Sequence, residues 1–180
     1  MVDAFTDKVF SGNPAAVCVL DSWPDEQLMK NIALENNLSE TAFVVKEPEG
    51  YHLRWFTPKD EINLCGHATL ATAFVILNYY DKAADIVEFN TMSGRLTVTK
   101  NGDLYEMDFP TYDLQEIPVT DEMEQAFGTR PSKALLAMDL ICVFDKEETV
   151  REMKPNQTLI EQLPGRLHNA TARGKETDCV

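Results

Sequence analysis

Residues 62–80 read Ile62-Asn63-Leu64-Cys65-Gly66-His67-Ala68-Thr69-Leu70-Ala71-Thr72-Ala73-Phe74-Val75-Ile76-Leu77-Asn78-Tyr79-Tyr80. From His67 to Tyr80 the run has helical length, yet it is apolar almost all round. Only His67, Thr69, Thr72 and Asn78 are clearly polar. A helix without a wet face has to be enclosed by other structure. A membrane cannot be the enclosure, because a spanning helix needs about 20 apolar residues and this run is shorter. The segment therefore predicts a central helix wrapped by a curved sheet.

The flanking sequence supplies the sheet. Val2-Asp3-Ala4-Phe5 reads as a strand stub, and Ala15–Leu20 is a short continuous apolar run, the pattern of a buried strand. Ser22-Trp23-Pro24-Asp25 reads as a helix start with Ser22 as cap and Pro24 in the first turn. Leu28, Ile32 and Leu38 mark one face of that helix, with Met29 and Ala33 beside it, and it ends near Asn36-Asn37. Strands follow at Thr41–Val45 and Tyr51–Thr57. After the apolar helix come three more, at Ile86–Phe89, Arg95–Thr99 and Leu104–Phe109. Turns at Ser93-Gly94 and Asn101-Gly102-Asp103 separate those three, and Asn-Gly is a strong hairpin signal. Pro110 closes the series. This predicts an α+β fold with a first sheet-round-helix domain over residues 1–112.

Residues 113–180 form a second, partial domain in this reading. Asp113–Pro118 reads as a connector and Asp121–Phe127 as a short helix. A strand pair is expected around Leu135-Leu136 and Leu140–Phe144, then short helices at Glu147–Met153 and Thr158–Leu163. Asn169–Val180 reads as a last strand or a tail. No long apolar helix follows for these strands to enclose. The apolar faces of Leu135-Leu136 and Leu140–Phe144 are therefore expected to lie open, to be covered by a partner chain or by local collapse.

Sixteen Lys and Arg stand against thirty Asp and Glu, a formal charge of −14 over 180 residues. Such acidity repels a phosphate backbone, which makes nucleic acid and anionic membrane poor partners. Cys18, Cys65, Cys142 and Cys179 show no paired or zinc-ligand spacing, and no metal site is expected. Met1–Asp7 lacks the features of a signal peptide, so a reducing cytoplasm is the expected location.

Three residues could carry chemistry. At Cys65-Gly66-His67-Ala68-Thr69 a strand ends and a helix begins. The first N–H groups of a helix have no internal partner and suit a carboxylate or phosphate. His67 sits in the same field; an ordinary polar histidine at a glycine packing joint is the plainer alternative. Glu40 lies in Asn37-Leu38-Ser39-Glu40-Thr41 between a helix end and an apolar strand. A carboxyl group in a cleft there can take and return a proton, whereas on the surface it is merely solvated. Cys65 is either a base beside the helix start or a buried spacer. No nucleotide-binding fingerprint is present, so no cofactor is expected.

The stretches VDAFTDKVFSGNPAAVCVL, NNLSETAFV and LRWFTPKDEINLCGHATLATA, with DLICVFDKEETVREMKPN later, closely resemble the PhzF-like phenazine-biosynthesis family along the whole chain. The resemblance implies a diaminopimelate epimerase-like fold of two pseudo-symmetric halves, the second incomplete here. It implies a cofactor-free isomerase that moves a proton on a small carboxylated metabolite, and a homodimer as the assembly. The glutamate of the family's NxSETAF motif falls on Glu40 as the acid/base. The Gly-His pair falls on Gly66 and His67, which with Ala68 bind substrate at the helix start. Cys65 stands where epimerases and proline racemases carry a cysteine and is an alternative base. Family members continue past the end of this chain with a second central helix and a catalytic aspartate, so the resemblance also implies a truncated member. A non-catalytic binding or oligomerising protein is then the alternative of a different class.

Overall fold

The apolar stretch is the hub around which the chain is built. In a computed structural model of the protein, which describes residues 1–109 and 111–175, Gly66–Val75 form helix α2 and the coil widens into a π-turn over Ile76–Tyr80. The change of pitch is closed by the Asp81 N–H, which donates to Ile76 O five residues back. Two compact units divide the chain, Met1–Phe109 and Pro110–Val180. The fold is α+β, and in the first unit a curled sheet packs on the central helix.

Unit 1 contains strands β1 (Val2–Ala4), β2 (Asn13–Leu20), β3 (Thr41–Glu47), β4 (Gly50–Phe56), β5 (Glu61–Ile62), β6 (Ile86–Thr91), β7 (Gly94–Asn101) and β8 (Leu104–Asp108), with helix α1 over Glu26–Asn36. They make an eight-stranded sheet ordered β1-β2-β3-β4-β6-β7-β8, with β5 paired to β4. β2 and β3 are parallel and joined through α1, while β4 and β6 are parallel and joined through α2. The sheet curls far enough that α2 touches β1 and β2 at one edge and β8 at the other.

β3 explains how two helices share one sheet. Thr41 to Val45 are all buried, because both faces of the strand are covered. Side chains alternate along a strand. Ala42 and Val44 thus join the core around α2, with Leu53, Trp55, Ala68, Ala71 and Ile76. Phe43 points the other way, into a smaller core with Met29, Ala33 and Phe56.

The helices depart from the sequence reading in three places. Asp25, not Ser22, caps α1, its Oδ1 accepting from the Gln27 N–H at 2.8 Å. The predicted end does fall at Asn37, in the left-handed conformation. The buried stripe of α1 is Met29 and Ala33, one helical turn apart, whereas Leu28 is 50% exposed. Its 11 residues permit only a narrow stripe to meet Phe43 and Phe56, and Leu28 falls outside it. Nor is the central helix enclosed all round. Tyr79 and Tyr80 are 64% and 60% exposed, since the sheet is a half-barrel and leaves one side open.

Unit 2 places β9 (Gln115–Ile117), β10 (Lys133–Leu136), β11 (Leu140–Phe144) and β12 (His168–Ala172) in a sheet ordered β12-β11-β10-β9. Helix α3 (Asp121–Phe127) and the short helices α4 (Glu147–Arg151) and α5 (Gln157–Ile160) accompany it. The segment read as a connector thus contains β9, which pairs antiparallel with β10 and whose three residues are too few to show alternation. β11 does not leave its whole apolar run open. Leu140, Cys142 and Phe144 are buried with Met123, Phe127 and Ala172, while Ile141 and Val143, on the opposite face, are half-buried. Pro110, Cys179 and the Thr177–Val180 end lie outside the described residues. No helix among the described residues is long and apolar enough to cross a membrane.

This packing sets opposite costs for two neighbouring side chains. Met29→Ala should destabilise unit 1 by about 2–4 kcal/mol, as truncation of a fully buried side chain does. Leu28→Ala should change stability by less than about 0.5 kcal/mol. Urea unfolding followed by circular dichroism checks both, and equal losses would show the wrong stripe.

Candidate active site

Strand parity aims Glu40 inward. It immediately precedes β3 and shares the alternation of Ala42 and Val44, the side chains that face α2. The link from α1 is short and held: Asn37 ends the helix, and Asn36 Nδ2 donates to Thr41 Oγ1 at 3.1 Å across the turn. Glu40 reaches a side-chain exposure of 17% without being part of a hydrophobic cluster.

The opposing wall is the start of α2. The strand leading into it is fixed by Arg54, whose Nε and Nη2 donate to the two oxygens of Glu61, both at 2.7 Å. Asn63 O accepts from Ser93 Oγ at 2.8 Å, which holds the next residue along. Gly66 is closely packed: a Cβ there would lie 3.0 Å from the tip of the Phe109 ring, which would have to give by a few tenths of an ångström. No side chain forms a capping hydrogen bond at this helix start. At α1, α3 and α5, by contrast, Asp25, Thr120 and Asn156 supply one. The leading N–H groups of α2, at Gly66, His67 and Ala68, thus keep the positive end of the helix dipole without a capping oxygen.

The polar residues of this otherwise apolar helix can be accounted for one by one. Thr69 Oγ1 donates to Cys65 O at 2.6 Å, Thr72 Oγ1 to Ala68 O at 2.7 Å and Asn78 Nδ2 to Phe74 O at 2.7 Å. Each is satisfied by the helix's own backbone, one turn back. His67 is the exception. Its Nε2 lies 3.3 Å from Glu40 Oε2, and its side chain is only 9% exposed. The two atoms are close but not aligned for a hydrogen bond, so both remain buried and without a partner. Cys65 Sγ completes the cluster, 3.4 Å from His67 Nδ1. Burial pushes the Cys65 thiol up to about 12; the Glu40 carboxylate adds to the rise, and the Ala68 and His67 N–H groups oppose it.

All the residues singled out in the sequence, Glu40, Cys65, Gly66, His67 and Ala68, therefore lie at one place. One further buried polar atom was not foreseen. Trp55 Nε1, on the helix-facing side of β4, also has no partner. In the alternating run Tyr51-His52-Leu53-Arg54-Trp55 a tryptophan reads as core, and nothing in the pattern marks its N–H. His52 and His168 are elsewhere: His52 contacts Glu47, and His168 Nε2 approaches Leu163 O in unit 2.

Comparison with other proteins shows the family of the chain. The family model described as phenazine biosynthesis-like protein matches residues 2–178. An uncharacterized isomerase of Pseudomonas aeruginosa is 45% identical over 179 residues, covering 99% of this chain and 69% of the relative. The crystal structure of a phenazine biosynthesis protein of the PhzF family from Enterococcus faecalis superposes with a TM-score of 0.92 at 50% identity, over 98% of this chain and 68% of that one. A predicted epimerase from Pseudomonas aeruginosa shares the fold at 18% identity, with a TM-score of 0.65 over 94% of this chain and 67% of that one. The chain belongs to the PhzC-PhzF family of phenazine biosynthesis-like proteins.

Proposed function

We propose that the chain is an isomerase that works without a cofactor and moves a proton on a small carboxylated metabolite, with Glu40 as acid and base. The observation that carries this reading is the meeting of Glu40 Oε2 and His67 Nε2 at 3.3 Å, both buried and both without a hydrogen-bond partner. Buried polar atoms are nearly always paired, so two that face each other unpaired at a helix start without a side-chain cap support a place suited to a polar ligand. The isomerase name of the Pseudomonas relative agrees with this reading.

In the proposed reaction the substrate carboxylate accepts hydrogen bonds from the leading N–H groups of Gly66, His67 and Ala68. Glu40 removes a proton from an adjacent carbon, and the electron pair passes into the neighbouring unsaturated system. The N–H donors and His67 stabilise the charge that develops. Glu40, now protonated, returns the proton at another carbon, so nothing is gained or lost overall. The alternative base, Cys65, is disfavoured: a thiol pushed up to about 12 stays protonated at neutral pH, the reverse of what a thiolate base requires. The proposal extends to a homodimer, which light scattering would report as twice the chain mass; a monomer would remove that part.

Glu40→Gln should reduce deuterium incorporation from D2O into a substrate found among small carboxylates by about 10²–10⁴-fold, the usual contribution of a general base. Exchange at the wild-type rate in that variant would refute the assignment, and no exchange by the wild type with any of them would favour a binding protein.

Cys65→Ala should retain exchange, and its loss would restore the thiol as base. Because the thiol is raised from 9.0 to about 12 by burial, the folded state favours its protonated form. Its contribution to stability is complete below the unfolded value and is lost as pH rises through about 12. Iodoacetamide labelling near pH 8, read by peptide mapping, should accordingly be at least about tenfold slower at Cys65 in the folded chain than in urea. Equal rates would contradict the burial.

A further inference from the structure

The same three side chains have a second property that proton transfer does not require. Glu40, Cys65 and His67 each offer one ligand atom, and the three atoms lie within 4.8 Å of one another. Two spacings are shorter, 3.3 Å from Glu40 Oε2 to His67 Nε2 and 3.4 Å from Cys65 Sγ to His67 Nδ1. A tetrahedral Zn²⁺ with bonds of about 2.0–2.3 Å holds its ligand atoms roughly 3.3–3.7 Å apart. The sulfur and the carboxylate approach different ring nitrogens, so an ion held by one of them draws the other ligand in from within 4.8 Å to tetrahedral spacing. His67 is more than nine-tenths buried, and its Nε2 lies 3.3 Å from the carboxylate without a hydrogen-bond partner.

The donor set selects the class of ion. Calcium and magnesium take oxygen ligands, whereas a sulfur, an imidazole and one carboxylate suit zinc and its neighbours. Three protein ligands leave a fourth position for water or another small ligand. Sequence spacing hid this arrangement: Cys65 and His67 are two residues apart, and the third ligand comes from the other side of the core at residue 40.

We propose that Glu40, Cys65 and His67 form a binding site for a thiophilic divalent cation of the Zn²⁺ class, and that the bound ion holds the Glu40 carboxylate and blocks it as a base. Binding replaces the S–H bond of Cys65 with a sulfur–metal bond, and the proton leaves to solvent. The ion is an inhibitor here, so the proposed reaction itself still needs no cofactor. The inference uses the geometry of the proposed active site, but its test does not depend on catalysis.

Titration of the reduced, metal-free chain with Co²⁺, a coloured stand-in for Zn²⁺, provides the test. The expected result is a sulfur-to-cobalt charge-transfer band and intense tetrahedral visible bands, saturating at about one ion per chain and lost on adding Zn²⁺. Cys65→Ala should abolish the charge-transfer band, and Glu40→Gln should weaken binding by about tenfold or more, with circular dichroism confirming that both variants fold. A band that survives Cys65→Ala, unchanged affinity in Glu40→Gln, or only the weak octahedral spectrum of surface carboxylates would overturn the site. Deuterium exchange by the chain in EDTA separates the two proposals. Exchange without cobalt binding sinks the metal site alone, and cobalt binding without exchange sinks the isomerase alone.

Discussion

The contact between Glu40 and the first turn of α2 depends on one constraint: an almost wholly apolar helix has to be covered. Covering it takes strands from both edges of a curled sheet, and that curl brings the start of β3 against the helix start. A polar group on such a helix must find a partner within the helix or across the core. Thr69, Thr72 and Asn78 find theirs one turn back, on backbone carbonyls. His67 lies in the first turn, where Cys65 and Glu40 are its polar neighbours.

The result is a local cost inside a well-packed unit. An unsatisfied buried polar atom costs about 1–3 kcal/mol, and two of them meet here. The surrounding core can carry that cost. Trp55, Phe89, Leu53, Ile76 and Leu96 are all buried to within a few per cent, and they stiffen the sheet that holds β3 in place. Polar groups kept unsatisfied within a rigid frame are characteristic of sites prepared for a ligand. A carboxylate, an imidazole and a thiol held so closely are suited both to proton transfer and to capture of a soft cation.

Much of the fold was legible because the signals were local. The continuous apolar run of Ala15–Leu20 reads as a buried strand; it does form β2, although only Ala15 is fully buried and Ala16–Leu20 are half-buried. Asn101-Gly102-Asp103 reads as a hairpin turn, and Asn101 and Leu104 pair across it. What local signals could not give was the choice among equivalent candidates. Ser22 and Asp25 are both good helix caps, and the chain uses Asp25 because the helix begins at Glu26. Leu28 and Met29 are both apolar, and the direction of Phe43 and Phe56 decides which is buried. β9 is three residues long and exists because β10 offers it an edge.

By itself, the sequence determined that residues 67–80 form a mostly buried central helix, that a glycine opens it, and which side chains were able to do chemistry, since residue type and spacing are properties of the chain. Only the tertiary structure decided that Glu40 and His67 meet at 3.3 Å and that Cys65 joins them. The physical reason is that the contact spans more than twenty residues of chain. It follows from strand parity at β3, the curl of the sheet and the seating of α2, none of which a local pattern encodes.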